Sequence, residues 1–452
     1  MSIDLLLTHA RLVLPDVGFA SGSVAVNDQG RIAAILAPDV TLDARRVVDC
    51  GDRWLMPGVI DSHVHFGFGD PQTDWASESR SAALGGVTTA LSFHRSADFR
   101  EGFEPVRQRA AAQSLIDFGF HFGLTSRLHI DTLAECSQRF GITSYKLYLM
   151  YKGAAGASKG FTEIDDGLLY AAMQAVRQID GGILGVHCEN VEVIPVLRDQ
   201  LRRQGRSDPA VWDDQSPDFL EAENVHRVCY FASKTGCPVN IVHLSSREAL
   251  EVVRDHRRKS RTPVYVETCP HYLSLTRDTE AGVLGKVNPP LRRQADVDAM
   301  WEGVLDGTIT TIGTDHVPRK RETKREIWSS TNGFPGVGTM LPVLLHEGVN
   351  RRGVPVERIA QLVCARPASL YRLPTKGQIA VGRDADLVLV DPDLERTVDP
   401  AALGSFADYS PYEGQTLKGW PVRTFLRGRE IMRDGAILPE ADAAPAGRYL
   451  AR

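Results

Sequence analysis

No two of the seven cysteines are spaced as a CxxC pair, and their scatter from Cys50 to Cys364 offers neither a four-thiolate zinc site nor an even-numbered disulfide framework. Buried free thiols are the expectation. Long apolar runs are also missing: none approaches the roughly 18 residues of a membrane span, and the opening MSIDLLLTHARLVLP has neither the basic nor the long apolar region of a signal peptide. A cytoplasmic protein without membrane contact follows as an expectation. Charge of one sign is absent as well. The formal net charge is −5 over 452 residues, with acids and bases interspersed, so there is no basic stripe for nucleic acid and no polyanionic tail. The run RKRETKRE at 319–326 mixes both signs without interleaved aromatics, as a solvated loop does. Such a chain should act on something small.

What is present is enough apolar surface, 43% of residues, for a large core and an appendage. Residues 1–55 read as short alternating strands between Gly, Asp and Pro turns, and the same texture returns over 375–452. These two ends predict one small β-sandwich. Between them, residues 56–374 alternate short apolar strands with amphipathic helical stretches. The strands are PGVIDSHVH, GVTTALSF, FGFHFGLT, GITSYKLYL, GGILGVHC, CPVNIVHLS, TPVYVETC and GTITTIGTD. Eight such units predict an α/β fold, a closed (β/α)8 TIM barrel. A doubly wound open sheet would carry a Gly-rich phosphate turn after its first strand, and there is none. Tyr151 to Gly160, rich in Gly, Ala and Ser, predicts a mobile loop after the fourth strand.

Two histidines, His63 and His65, close the first barrel strand two residues apart, so both imidazoles face the same way. Alone, an HxH pair is unspecific. Lys146 lies in the fourth strand, however, His187 ends the fifth, His243 the sixth and Asp315 the eighth. C-terminal strand ends of a barrel converge on one mouth, so these residues should meet as a metal site. An ammonium has no lone pair for a metal. Lys146 fits only if its amine takes up carbon dioxide and becomes a carbamate, an anionic group able to bridge two ions. The rival reading, an ammonium pairing with an acid at the mouth, holds for ITSYKLYLMY in isolation and weakens beside the histidines of neighbouring strands.

With these residues in place, the chain resembles the amidohydrolase superfamily, in its cyclic-amidase branch of hydantoinases, dihydropyrimidinases, allantoinases and dihydroorotases. The motifs are PGVIDSHVHF, GGVTT, ITSYKLYLMYKG, VHCEN, IVHLSS, ETCPHYL, KVNPPLR, IGTDHVP, GFPGVGTMLP, DADLVLVD and YSPYEG, which span nearly the whole chain. The resemblance implies two divalent metal ions, usually zinc. His63, His65 and Asp315 would hold the more buried ion and His187 and His243 the other, with carbamylated Lys146 bridging. Two dications sharing a water lower its pKa toward neutrality, and the resulting hydroxide attacks the ring carbonyl. Asp315 would carry the proton to the departing amide nitrogen. Tyr151 matches the tyrosine that this branch uses as oxyanion donor, and Asn288 and Asn332 lie where it holds the amide edge of the substrate, chiefly through backbone groups. Each has a local alternative: Tyr151 as a rim aromatic, the asparagines as turn formers. A homodimer or homotetramer is implied by the resemblance alone.

The chain departs from its relatives in places. Dihydroorotases and many allantoinases follow the HxH pair with an arginine, which in dihydroorotase receives the substrate carboxylate; here the position is Gly67. Tyr151 favours hydantoinase or dihydropyrimidinase, whereas HLSS, CPHYL and SPYEG look closer to allantoinase and dihydroorotase. A glutamate common in the relatives is Gly338 here, which bears on support of the Asn332 loop. Phe66, Phe68, Trp75 and Phe161 predict an apolar or aromatic ring substituent. His271 and His316, beside motifs, are candidates to orient the ligands. A metal-free scaffold relative and a mononuclear deaminase are the readings from other classes. All six ligand positions are filled, against the first, and a deaminase needs no bridging lysine.

Overall fold

The computed structural model describes residues 2–157 and 159–452. Five N-terminal strands, β1 (Ile3–Leu14), β2 (Gly18–Asn27), β3 (Ile32–Leu36), β4 (Arg46–Asp49) and β5 (Trp54–Pro57), share one sheet with strands from the other end of the chain. Next come the barrel strands β6 (Val59–Val64), β7 (Val87–His94), β8 (Asp117–Leu124), β9 (Ser144–Tyr148), β10 (Ile183–His187), β11 (Val239–Ile241), β12 (Val264–Thr268) and β13 (Thr311–Ile312). The C-terminal strands are β14 (Leu387–Thr397), β15 (Thr416–Leu426), β16 (Arg429–Arg433) and β17 (Ala436–Ile437). The terminal strands lie in the order β17-β16-β15-β14-β5-β1-β2-β3, with β4 beside β1. β14 is the seam, antiparallel to β5 with Leu389 opposite Leu55, and antiparallel to β15 on its other side. Leu5, Leu7, Val24, Leu55, Leu387, Leu389 and Phe425 share one buried cluster, so apolar burial joins the two ends of the chain into the β-sandwich.

Strands β6 to β13 lie side by side in chain order as the (β/α)8 barrel. All eight strands expected from the apolar runs are there. Every residue of β7 and β8 is buried, the pattern of strands covered on both faces, where an alternating polar face would be costly. The helices carry local stop and start signals. Asp218–Thr235 ends at Gly236 in the left-handed region, φ 72°. Arg247–Lys259 starts at Ser246, whose side chain accepts from the Ala249 amide, and gathers Arg257, Arg258 and Lys259 against its carbonyl end.

Contacts group the chain into two compact units, one of Met1–Leu91, Arg109–Gly119 and Pro335–Leu450, the other of Ser92–Gln108, Phe120–Phe334 and Ala451–Arg452. All seven cysteines are free and buried. No helix among the described residues is long and apolar enough to cross a membrane. The expected loop after β9 is partly ordered into a 3-10 turn, Leu149–Tyr151, and a short helix, Gly153–Ala157. The Gly156 carbonyl accepts from the amides of Lys159 and Phe161, and a Cβ at Gly156 would collide with the Tyr151 and Phe161 carbonyls. Glycine therefore permits a tight turn there rather than slack; Ser158 lies outside the described residues.

Candidate metal centre

His63 is fully buried within β6, and its amide donates to the Asp61 carboxylate at 3.1 Å. His65 follows the strand, its ring centroid 5.4 Å from that of His63. Asp315 comes just after β13 with φ 51°, and His243 just after β11 with φ 41°. Side chains other than glycine seldom occupy this left-handed region, and its strain is tolerated where the backbone must turn a functional group. Ligand atoms of His63 and His65 lie within 4.8 Å of each other. Two imidazole nitrogens are donors that suit zinc or a similar divalent ion.

Lys146 is buried in β9, with its Nζ 3.4 Å from His243 Nε2. Its register partners on the neighbouring strands are Gly123 and Gly185. A Cβ at Gly185 would already touch Lys146 Cδ at 3.7 Å, so small neighbours make room for a long side chain inside the barrel. Burial pulls the Lys146 amine down to about 8, although Asp315 and Glu267 pull the other way. A free amine is the species that takes up carbon dioxide, so this environment suits a carbamate. His187 lies with its ring 4.4 Å from that of His243. Its Nε2 is 2.6 Å from the Glu189 carboxylate, which also accepts from Ser216 Oγ at 2.8 Å. Burial keeps the His187 imidazole below its ordinary pKa, against the pull of Glu189. With Nε2 turned to Glu189, Nδ1 is the nitrogen that remains for a metal. Glu189 escaped the sequence reading, although it stands two residues past His187 in VHCEN.

Tyr151 is half-buried, 5.6 Å from the Tyr148 ring and 5.0 Å from that of Phe161. Tyr148, two residues beyond Lys146, points to the same face of β9; Lys146 Nζ lies 5.4 Å from its ring centroid. Asn288 uses its side-chain oxygen to accept from Trp212 Nε1 at 2.9 Å, and the same Trp212 N–H reaches the Val287 carbonyl at 3.0 Å. Asn332 is half-buried and its Oδ1 meets no donor among the described residues. The segments carrying these two asparagines are tied together: Lys286 Nζ donates to the Ser330 carbonyl at 2.6 Å, and the Gly333 amide to the Lys286 carbonyl at 3.1 Å.

Two other expectations are corrected, for Lys324 and for the pair Phe66 and Trp75. Lys324, in the run expected to be solvated, is buried and donates to the Lys286 carbonyl at 2.8 Å, because the loop folds back over the segment that follows the 3-10 turn Gly282–Gly285. Phe66 and Trp75, expected to line the substituent pocket, are buried against each other, and Trp75 packs on Phe118. Their apolar bodies fill interior space. At Gly338 a Cβ would lie 2.7 Å from Ser81 Oγ, so this turn packs closely on the helix that carries Ser81. His94 and His129 are packed among aromatics, and burial pushes His94 down to about 4. His271 and His316 are both buried beside the site motifs.

Residues 215–431 match the model of a family described as "Amidohydrolase family". Over 97% of this chain and 96% of the relative, the sequence is 30% identical to an L-hydantoinase of Paenarthrobacter aurescens. An allantoinase of Deinococcus radiodurans is 33% identical over 100% of this chain and 99% of its own length. Among solved structures, the L-hydantoinase (dihydropyrimidinase) from Arthrobacter aurescens superposes with a TM-score of 0.90 at 29% identity, covering 100% of both chains.

Proposed function

Because the chain belongs to the amidohydrolase family and is a cyclic-amide hydrolase, we propose that it opens a hydantoin, a dihydropyrimidine or a related cyclic ureide at a centre of two zinc ions. The observation that carries the site is the buried group of Lys146, His187 and His243 from three successive barrel strands, with Lys146 Nζ 3.4 Å from His243 Nε2 and the His187 ring 4.4 Å from that of His243. His63, His65 and Asp315 would hold one ion, and His187 and His243 the other. Lys146, as a carbamate, would bridge them; its burial and lowered amine pKa support this. When bound, two such ions supply a water of lowered pKa and polarise the ring carbonyl.

The chain's own groups do the rest. Asp315 accepts the proton of the attacking water and returns it to the ring nitrogen, which would otherwise leave as a poor anion. Tyr151 Oη donates to the carbonyl oxygen as charge develops there. The backbone around Asn288 and Asn332 holds the amide edge, the Asn288 side chain being engaged by Trp212. Glu189 orients the His187 ring. We propose that the enzyme assembles as a homodimer or homotetramer, which light scattering of the purified protein measures directly.

A panel of dihydrouracil, hydantoin, allantoin and dihydroorotate, run after loading with zinc and bicarbonate, tests the reading. Opening of hydantoin or dihydrouracil is expected. Allantoin as the fastest substrate would instead support the allantoinase reading that the Deinococcus relative favours. Absence of bound divalent ion, with no activity after loading, would leave a metal-free scaffold.

A further inference from the structure

Arg95 stands immediately after β7, next to the proposed centre. Its guanidinium carbon lies 5.4 Å from the Tyr148 ring centroid, 5.6 Å from that of Phe161 and 5.9 Å from that of Tyr151. Lys159 adds a second positive charge 4.6 Å from the Tyr151 ring centroid. Against these rings stands the Tyr148 hydroxyl, which is buried and has no hydrogen-bond partner among the described residues. A buried hydroxyl without a partner costs stability, so such a group points to a ligand. The Arg95 stem and this hydroxyl converge on Gly123 of β8. A Cβ there would lie 2.8 Å from Arg95 Cγ and 3.3 Å from the Tyr148 oxygen. Glycine at that position keeps open the space in which both groups sit.

Building on the cyclic-amidase reading, we propose that Arg95 and Tyr148 form a recognition site for a carboxylate carried on a short substituent of the ring substrate. A guanidinium resting on aromatic faces keeps its N–H donors in the ring-edge plane, where a carboxylate is held by two parallel bonds. The Tyr148 hydroxyl supplies a further donor from inside the barrel. Placement supports a short substituent: Lys146 Nζ and the Arg95 guanidinium carbon each lie 5.4 Å from the same Tyr148 ring centroid. Both charged groups thus border one tyrosine ring. This preference reverses the apolar substituent expected from the loop aromatics, two of which pack into the interior.

The test compares kcat/KM of zinc- and bicarbonate-loaded full-length protein for hydantoin and its 5-carboxymethyl, 5-carbamoylmethyl and 5-isobutyl derivatives. The carboxymethyl ring is expected to exceed the isobutyl ring by about tenfold or more, the worth of a hydrogen bond to a charged group. Arg95→Met should lower that ratio by about tenfold or more, Arg95→Lys by less, and Tyr148→Phe by about threefold. Circular dichroism melts of each variant report whether it folds, and the lysine variant keeps the stem and the charge. A wild-type ratio of one or below, an equal rate for acid and amide, or a ratio unmoved by Arg95→Met would overturn the site. Hydantoin separates the two layers. If hydantoin is opened and the ratio is flat, only the recognition site is lost; if no ring is opened, the cyclic-amidase reading fails and takes this site with it.

Discussion

Lys146 is 1% exposed, a place where an ammonium loses its hydration and the charges of Asp315 and Glu267 offset only part of the loss. The amine is protonated below about 8 and free above it. Uptake of carbon dioxide needs the free form, so at a fixed concentration of dissolved carbon dioxide the rate at which zinc reactivates apoprotein should rise by about tenfold per pH unit below that value and level off above it. Stopped-time activity assays across a pH series measure this; a flat profile would count against the carbamate. Lys146→Ala should lose one bound ion, read by mass spectrometry of metal content, together with activity. At Tyr151, removal of the hydroxyl takes away a donor aimed at charge that exists only in the transition state. Tyr151→Phe should therefore lower kcat by about a hundredfold while KM changes little. A change in KM alone would assign Tyr151 to packing on Phe161.

The strand ends and their loops do the positioning. His243 and Asp315 both leave their strands with left-handed backbones, so the two ligands are turned by local strain rather than by strand geometry alone. Glu189 fixes His187 from the same strand end. Glu189→Gln should weaken zinc affinity by about tenfold to a hundredfold, measured by competition with a chelator, because the neutral amide holds the imidazole less firmly. Two further loops are joined through buried lysines, Lys286 to Ser330 and Lys324 to Lys286. Trp212 clasps the first of them at Val287 and Asn288. Trp212→Phe removes both hydrogen bonds without emptying the space, and should raise KM for the ring by about tenfold with a smaller effect on kcat.

At the scale of the molecule, the two ends of the chain fold together on apolar burial, and one group of buried charges ties the C-terminal segment to the barrel. Lys376 Nζ lies 2.5 Å from both Asp117 and Asp386, and Arg427 also reaches Asp117 at 2.5 Å. Asp117 opens barrel strand β8, whereas Asp386 immediately precedes β14, so the cluster connects segments that the chain order separates. Burial opposes the Lys376 charge, and Asp386, Asp117 and Asp384 outweigh it, holding the amine above its ordinary range. Removing Lys376 takes the ionic partner from buried Asp386, while Asp117 keeps Arg427 and Asp384 keeps Arg31. Lys376→Met should cost about 3–5 kcal/mol, visible as a lowered urea midpoint and Tm, with metal ligands untouched. A change below about 1 kcal/mol would show that the acids take up protons and adapt.

Strand and helix order were legible in the sequence because hydrophobic periodicity is local: VTTALSF and FGFHFGLT announce fully covered strands by composition alone. The placement of His63, His65, Lys146, His187, His243 and Asp315 near strand ends was legible for the same reason, since barrel topology converts position along a strand into position at the mouth. What only the tertiary structure decided is which groups from separate segments face one another. Glu189 turning to His187, Arg95 settling on Tyr148, Lys324 folding inward and Trp75 filling the interior depend on packing between parts distant in sequence. No periodicity encodes those meetings, because each is settled by the space and polarity its neighbours leave.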